Sequence, residues 1–395
     1  MCPAESEVAA AVSPSMAVEM KRAAAGIATQ GVKIADFGVG QPDFNAPPAV
    51  EDAAVESIRA GRGKYVDPQG LLELREQIVA FEADRHRFVA SAEQVVVTPG
   101  SYGALSIVMR AILEHPFEAL VLGPAWGPYE SIIRLTGAVA KKVPMQPGAD
   151  GRFSIDIVAI EAEITANTRA IIVNSPWNPC GRVLSVEELR ALGEIAIRYD
   201  LWIISDEIYS EIIFDGRQHQ SIATLGGEIA ERCIVINSLS KSFAMTGWRL
   251  GYCIAPLRLA PLLSRINQYS SRCATSFVQY AGIVALRDCI NELESMRIVY
   301  EERRNKLVDG LNRIPGLCCP KPEGTFYAFA KVDSRFGNSQ HVARTLLHDG
   351  GVIVMPGGSY GIESDGFLRL SFATDIETIE FGVRQMAKVF DTSRF

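Results

Sequence analysis

Apolar positions along this chain fall into two textures. Six short Val/Ile/Leu-rich runs end abruptly in small or polar residues: "QVVVTPGS" (94–101), "EALVLGPAW" (118–126), "RAIIVNSPWN" (169–178), "LWIISDEIY" (201–209), "CIVINSLSK" (233–241) and "LGYCIAP" (250–256). None alternates strictly with polar residues, which predicts strands buried on both faces. Helical patterns lie between several of them. "SYGALSIVMRAILEH" follows the first run and "SVEELRALGEIAIRYD" precedes the fourth, with Ser185 and Glu188 spaced as a capping box. Strands alternating with helices predict a mostly parallel sheet covered by helices on both sides. From about residue 291 the texture changes. "NELESMRIVYEERRNKLVDGLNRIPG" reads as a long charged amphipathic helix, and "GTFYAFAKV", "GVIVMPG" and "GFLRLSF" follow as short strands. The expected fold is therefore α/β, a large domain with a mostly parallel sheet sandwiched by helices, plus a smaller α+β domain. Its boundaries are 51–290 for the large domain and 291–395 for the small one. Residues 1–50 form an N-terminal segment that packs with the small domain, and hold an amphipathic stretch at 15–31.

Composition narrows the class. The chain has 395 residues, 48% of them apolar and 22% charged, enough to bury a sizeable core. The net charge of −7 comes without long runs of like charge, which argues against a nucleic-acid partner. Eight scattered cysteines without a C-x-x-C fit neither a zinc site nor a disulfide framework. The five histidines show no metal spacing, so no metal is expected. The acidic N-terminus lacks the basic region of a signal peptide, and no apolar run approaches the roughly 20 residues that span a bilayer. A cytoplasmic protein with no membrane partner is the expectation.

Ligands of open α/β sheets bind outside the carboxyl ends of the strands, so what each run delivers there matters. The first delivers Gly100, Ser101, Tyr102 and Gly103 at the opening of a helix, where free N–H groups favour an anion. The second delivers Trp126. The third delivers Asn174 and "NPCG" (178–181), the fourth Asp206 and Tyr209, the fifth Ser238, Ser240 and Lys241. An anion cradle, an aromatic plate, one carboxylate and one lysine suit pyridoxal phosphate. Its aldehyde reacts with a lysine, and its ring nitrogen needs an acidic partner. Arg249, eight residues beyond Lys241 in an otherwise uncharged stretch, is placed to neutralise the phosphate.

Together the motifs "GVGQPDF" (38–44), "KYVDPQG" (64–70), "NSPWNPCGRV" (174–183), "DEIY" (206–209), "SLSKSFAMTGWRLG" (238–251), "EGTFYAF" (323–329) and "LRLSFA" (368–373) carry a resemblance over almost the whole chain. The sequence resembles the class I/II aminotransferase family of fold-type-I pyridoxal-phosphate enzymes, the aspartate-aminotransferase-like group. The resemblance implies an amino-acid aminotransferase that passes an amino group from an L-amino acid to a 2-keto acid through a Schiff base on Lys241. It implies that Asp206 pairs with the ring nitrogen, that Tyr209 and Asn178 bond the ring oxygen, and that Trp126 stacks on the ring. The Ser101 and Tyr102 backbone, with the Ser238 and Arg249 side chains, would hold the phosphate. Tyr65 would reach the phosphate of a neighbouring subunit, so the resemblance implies a homodimer with shared active sites. Arg369 would clamp the substrate carboxylate with help from Gly40, while Asn178 and Trp126 also line the substrate site.

"GVGQPDF" is not a dinucleotide fingerprint, since its third glycine is missing and Pro42 comes too early. Four residues depart from the family. Tyr102 stands where many aspartate-specific members carry lysine, Trp177 and Cys180 alter the usual "NPTG" surroundings, and Arg272 appears in "QYSSRCATSFVQ". Arg272 is a candidate reader of a distal anionic group. The same scaffold also supports elimination, replacement, cyclisation or C–C bond chemistry, which is the alternative reading.

Overall fold

The computed structural model describes residues 6–10, 12, 20, 33–38 and 40–391. Most of the amphipathic stretch expected at 15–31 lies outside the described residues.

Each of the six apolar runs forms a strand, and a seventh joins them. In chain order the strands are β1 (Val95–Thr98), β2 (Glu118–Gly123), β3 (Val139–Pro144), β4 (Thr168–Asn174), β5 (Trp202–Asp206), β6 (Cys233–Ser238) and β7 (Gly251–Ile254). Their order in the sheet is β1-β7-β6-β5-β4-β2-β3. Strand β7 runs antiparallel to both β1 and β6, and the other pairs are parallel. Both faces of the central strands are buried, as unbroken apolar runs require. In β4, Ile171 and Val173 enter one apolar cluster while Ala170 and Ile172 enter another. Ile203 and Ile204 of β5 divide in the same way, because successive side chains of a strand point to opposite faces.

Strand β3 is absent from the sequence reading, and its position explains why. It forms the sheet edge, and only Val143 of its six residues is fully buried. Lys141 and Lys142 face solvent-side partners instead, at 3.1 Å from Glu163 and 2.7 Å from Glu130. An edge strand needs little apolar surface, and lysines there discourage further pairing.

Helices cover the sheet. Gly100–Ile112 follows β1, and Val186–Arg198 carries the expected capping box, with Ser185 and Glu188 bonded reciprocally. The C-terminal part is built on a four-stranded antiparallel sheet of Met355–Pro356, Phe367–Ser371, Tyr327–Val332 and Leu317–Cys318. The long charged pattern is one helix, Ile290–Leu311, as its spacing predicts. Its buried Arg304 forks onto Asp215 at 2.7 and 2.8 Å and lies over the Phe214 ring, joining this helix to the chain that follows β5. Ala35–Asp36 pairs in parallel with Val352–Ile353, and Ser371 N donates to Phe37 O at 2.7 Å. The loop that carries Gly38 and Gly40 is thereby held beside the strand that carries Arg369.

Candidate active site

The parallel strands β4, β5 and β6 lie side by side, with Asn174 in register with Asp206 and Asp206 with Ile236. Their carboxyl ends therefore deliver Asn174, Asp206 and Ser238 to one rim. The amide of Asn174 donates to Asp206 O at 2.9 Å and its oxygen accepts from Asn178 N at 2.8 Å, which folds the "NPCG" turn back over the rim.

At one side of the rim the helix Gly100–Ile112 opens without a side-chain cap. Gly100 has φ +75°, and a Cβ there would sit 2.3 Å from Arg249 Nη2, so the guanidinium lies directly against this turn. Arg249 donates to Thr246 O at 2.8 Å, and no carboxylate pairs with it among the described residues. Ser238 caps the four-residue helix Leu239–Ser242. Its Oγ accepts from Ser240 N at 3.0 Å and donates to Ser240 Oγ at 2.8 Å. Uncapped N–H groups, two hydroxyls and an unpaired guanidinium make a strong anion site.

Asp206 is buried. Its Oδ2 accepts from Tyr129 Oη at 2.5 Å and its Oδ1 from Ile208 N at 3.2 Å. Burial pushes its carboxyl up to about 6, against the pull of the Tyr129 hydrogen bond. Such a carboxyl is short of a cationic partner, and a protonated ring nitrogen would supply one. Trp126 stands edge-on between Tyr102 and Tyr129, with ring centroids at 4.9 and 5.2 Å. Tyr209 Oη meets Tyr327 Oη at 3.0 Å.

Lys241 is part-buried, donates to Gly40 O at 2.5 Å and lies 5.6 Å over the Phe326 ring. It has no ion pair among the described residues. Burial, then the positive charges of Arg369 and Arg249, lower its pKa to about 8, against the opposing effect of Asp206. Its amine is thus readily freed of its proton.

Arg369 is buried on the strand Phe367–Ser371. It donates to Gly38 O at 3.0 Å and to Asn178 Oδ1 at 3.3 Å, and its Cζ stands 4.0 Å over the Tyr327 ring and 5.2 Å from that of Tyr360. Its Nε has no hydrogen-bond partner among the described residues. A buried guanidinium with no counter-charge calls for an anionic ligand. Gly40 is needed for close approach, since a Cβ there would lie 2.7 Å from Tyr327 Oη.

The structure thus brings together Gly40, Ser101, Trp126, Asn178, Asp206, Tyr209, Ser238, Lys241, Arg249 and Arg369, with Tyr102 at the margin. It leaves Tyr65 apart: that side chain is 78% exposed, under the Arg272 guanidinium at 5.4 Å. Trp177 is buried and tethers two loops through Nε1–H to Pro124 O at 2.8 Å. Burial holds the Cys180 thiol well above its ordinary range, so it stays a protonated thiol. Sequence reading does not single out Tyr129, Tyr327 or Tyr360. A weak signal exists for two of them: Tyr129 lies three residues past Trp126, and Tyr327 stands inside "EGTFYAF".

The lysine and carboxylate at the strand ends of this mixed, mostly parallel sheet, with the guanidinium of the antiparallel sheet beside them, are the arrangement of a fold-type-I α/β enzyme. Comparison with known proteins gives the family. The model "Aminotransferase class I and II" matches residues 32–385. An aspartate aminotransferase of Bacillus subtilis is 33% identical over 384 residues, covering 96% of each chain. An arginine–pyruvate transaminase of Pseudomonas aeruginosa is 36% identical over 358 residues, covering 91% of this chain and 90% of that one. The solved aspartate aminotransferase of Rhizobium meliloti superimposes with a TM-score of 0.94 at 28% identity, covering 99% of both chains. The chain belongs to the class I and II aminotransferase family and is an amino-acid aminotransferase. No described helix is long and apolar enough to cross a membrane.

Proposed function

We propose that this aminotransferase binds pyridoxal phosphate and moves an amino group from an L-amino acid to a 2-keto acid, with Lys241 as its acid–base group. The observation that carries the reading is the Lys241 amine: part-buried, held on a main-chain carbonyl, and lowered to about 8 by burial and by the Arg369 and Arg249 charges. The residues around it fit the cofactor. Arg249, Ser238 and the Ser101 and Tyr102 N–H groups suit its phosphate, and buried Asp206 suits its ring nitrogen. When bound, the cofactor supplies an aldehyde that condenses with amines and a ring that withdraws electrons from the substrate α-carbon.

The chain's own residues do the rest. Tyr129 fixes the Asp206 carboxylate, which would hold the proton of the cofactor's ring nitrogen. Asn178 accepts from Arg369 through its oxygen, so its amide hydrogens, with Tyr209 Oη, would be free to bond the cofactor's ring oxygen. Trp126 would cover a face of the bound ring. Arg369 binds the α-carboxylate beside Gly40 and so orients the α-carbon, and Lys241 Nζ takes its proton and later returns one.

The reading includes a homodimer in the cytoplasm. Tyr65 and Tyr269 are exposed aromatics, and hydrogen bonds from Asn267 to Pro68 O and from Ser276 to Arg62 O tie their segments together. A second copy would cover such a surface and receive Tyr65. The seven described cysteines are all free thiols, which suits a reducing compartment.

The test is a half-reaction. Protein loaded with pyridoxal phosphate is mixed with single L-amino acids and no keto acid. The reading predicts conversion of the cofactor to its amine form with an equal amount of keto acid. Ammonia release without the amine form would instead establish an elimination chemistry.

A further inference from the structure

Behind the strand ends lies a second group of ionisable side chains that amino transfer leaves unused. The helix Leu72–His86 contributes Glu82, Arg85 and His86. The turn after β5 contributes Glu207, Ser210 and Glu211, the next loop His219 and Ser221, and strands β6 and β7 contribute Asn237 and Tyr252. All of these except Arg85 are buried.

His86 stands at the centre. Its Nδ1 is 2.6 Å from Glu82 Oε2 and its Nε2 is 2.8 Å from Glu211 Oε1. A neutral imidazole has one N–H, and would turn a bare lone pair against a carboxylate oxygen at one of these contacts. The doubly protonated ring donates to Glu82 and sets its positive charge 2.8 Å from Glu211 Oε1, a buried oxygen with no other partner among the described residues. Burial alone would strip the extra proton, but the facing carboxylates outweigh it and raise the pKa to about 10. Both carboxylates are held from behind. Arg85 donates to Glu211 Oε2 at 2.6 and 3.1 Å, while Tyr252 Oη and Asn237 Nδ2 donate to Glu82 Oε1 at 2.6 and 3.3 Å. The rings of His219 and Phe81 meet His86 edge-on, and His219 Nε2 is 2.7 Å from Glu207 Oε2. Glu207 Oε1 accepts from Ser205 Oγ at 2.6 Å and Ser221 Oγ at 2.8 Å.

The network enters the site at two turns. Asn237 Oδ1 accepts from Ser238 N at 2.8 Å, on the residue that caps the short helix of Lys241. Asn237 Nδ2 also donates to Ser210 Oγ at 3.2 Å, next to Tyr209. Glu207 and Glu211 bracket the turn that begins at Asp206, and Glu207 N donates to Ile236 O at 2.9 Å. We propose that His86, as an imidazolium clasped by Glu82 and Glu211, is a positioning residue that locks the turn of Asp206 and Tyr209 to the turn of Ser238 and Lys241. The proposal deepens the pyridoxal-phosphate reading and rests on it. Without the His86 charge, Glu211 keeps Arg85 but Glu82 is left a buried carboxylate on neutral donors alone, and the two turns lose their common anchor.

Two measurements test this. The first needs no cofactor. With five histidines in the chain, selective ¹⁵N-histidine labelling resolves each ring, and the signal lost in His86→Gln identifies His86. Both His86 nitrogens should stay protonated at pH 8, above the ordinary 6.5. Release of one proton near 6.5 would overturn the proposal even if pyridoxal phosphate binds as expected. The second compares pyridoxal phosphate titrations of wild type, His86→Gln and the double variant Glu82→Gln/His86→Gln. The single variant should bind about tenfold more weakly and shift the pH midpoint of the bound cofactor's absorbance change, while the double variant, which removes the surplus charge, should recover most of both. A double variant no better than the single one would reduce His86 to packing and sink the proposal. Failure of wild type itself to bind the cofactor would refute the functional reading, and with it any link from His86 to the cofactor.

Discussion

Arg369 rests on two neutral oxygens and two tyrosine rings, and none of these partners cancels its charge. A carboxylate entering here meets a planar fork already oriented by Asn178 and Gly38. Arg369→Lys keeps the charge and loses the fork, so it should cost about 2–3 kcal/mol of transition-state binding, roughly 30- to 150-fold in kcat/KM. The cofactor's absorbance should be unchanged, and steady-state kinetics with both substrates measure the loss. Lys241 and Arg369 are legible in the sequence because each is a lone charge among uncharged neighbours. Tyr129, Tyr327 and Tyr360 are not, because an aromatic residue in a buried run reads as ordinary core whether or not its hydroxyl has a task. The same limit hides His86, whose partners Glu82 and Glu211 come from different elements.

Among the elements, the turn from β1 into its helix is tightly constrained at the site. Gly100 combines φ +75° with contact against Arg249. Gly100→Ala should cost about 1–2 kcal/mol in backbone strain and also displace the guanidinium, weakening pyridoxal phosphate binding about tenfold or more. Gly216→Ala is the control. Gly216 has φ +68° with nothing within 4 Å of a new Cβ, so stability should fall while cofactor affinity holds. Thermal unfolding and a cofactor titration on each variant separate the two effects. Strands buried on both faces announce themselves as unbroken Val/Ile runs, and all six such runs are strands. The edge strand β3 does not, because one neighbour and a solvated side ask for only one buried valine. Nor does any apolar run reveal that β7 is antiparallel, since burial on both faces is the same in either direction.

The whole molecule raises the question of what Tyr65 does at 78% exposure, away from Lys241. If Tyr65 serves the site of a second copy, two defective variants should repair each other. Tyr65→Ala and Lys241→Ala homodimers should both be impaired. After subunit exchange, half the dimers are mixed and each mixed dimer holds one complete site, so activity should return to about a quarter of wild type. No gain on mixing would place Tyr65 outside the partner's site.

The central claim is that one part-buried amine, Lys241, is where this enzyme's chemistry happens. Reductive trapping reads it directly. Protein is incubated with pyridoxal phosphate, reduced with borohydride and mapped by peptide mass spectrometry. One pyridoxyl group per chain is predicted, on Lys241. Its folded pKa of about 8 lies below the ordinary 10.5, so the unprotonated amine gains as pH rises through 8, and the trapping rate should level off above it. Labelling of other lysines with Lys241 unmodified, or a rate that climbs steadily to pH 10.5, would contradict the account.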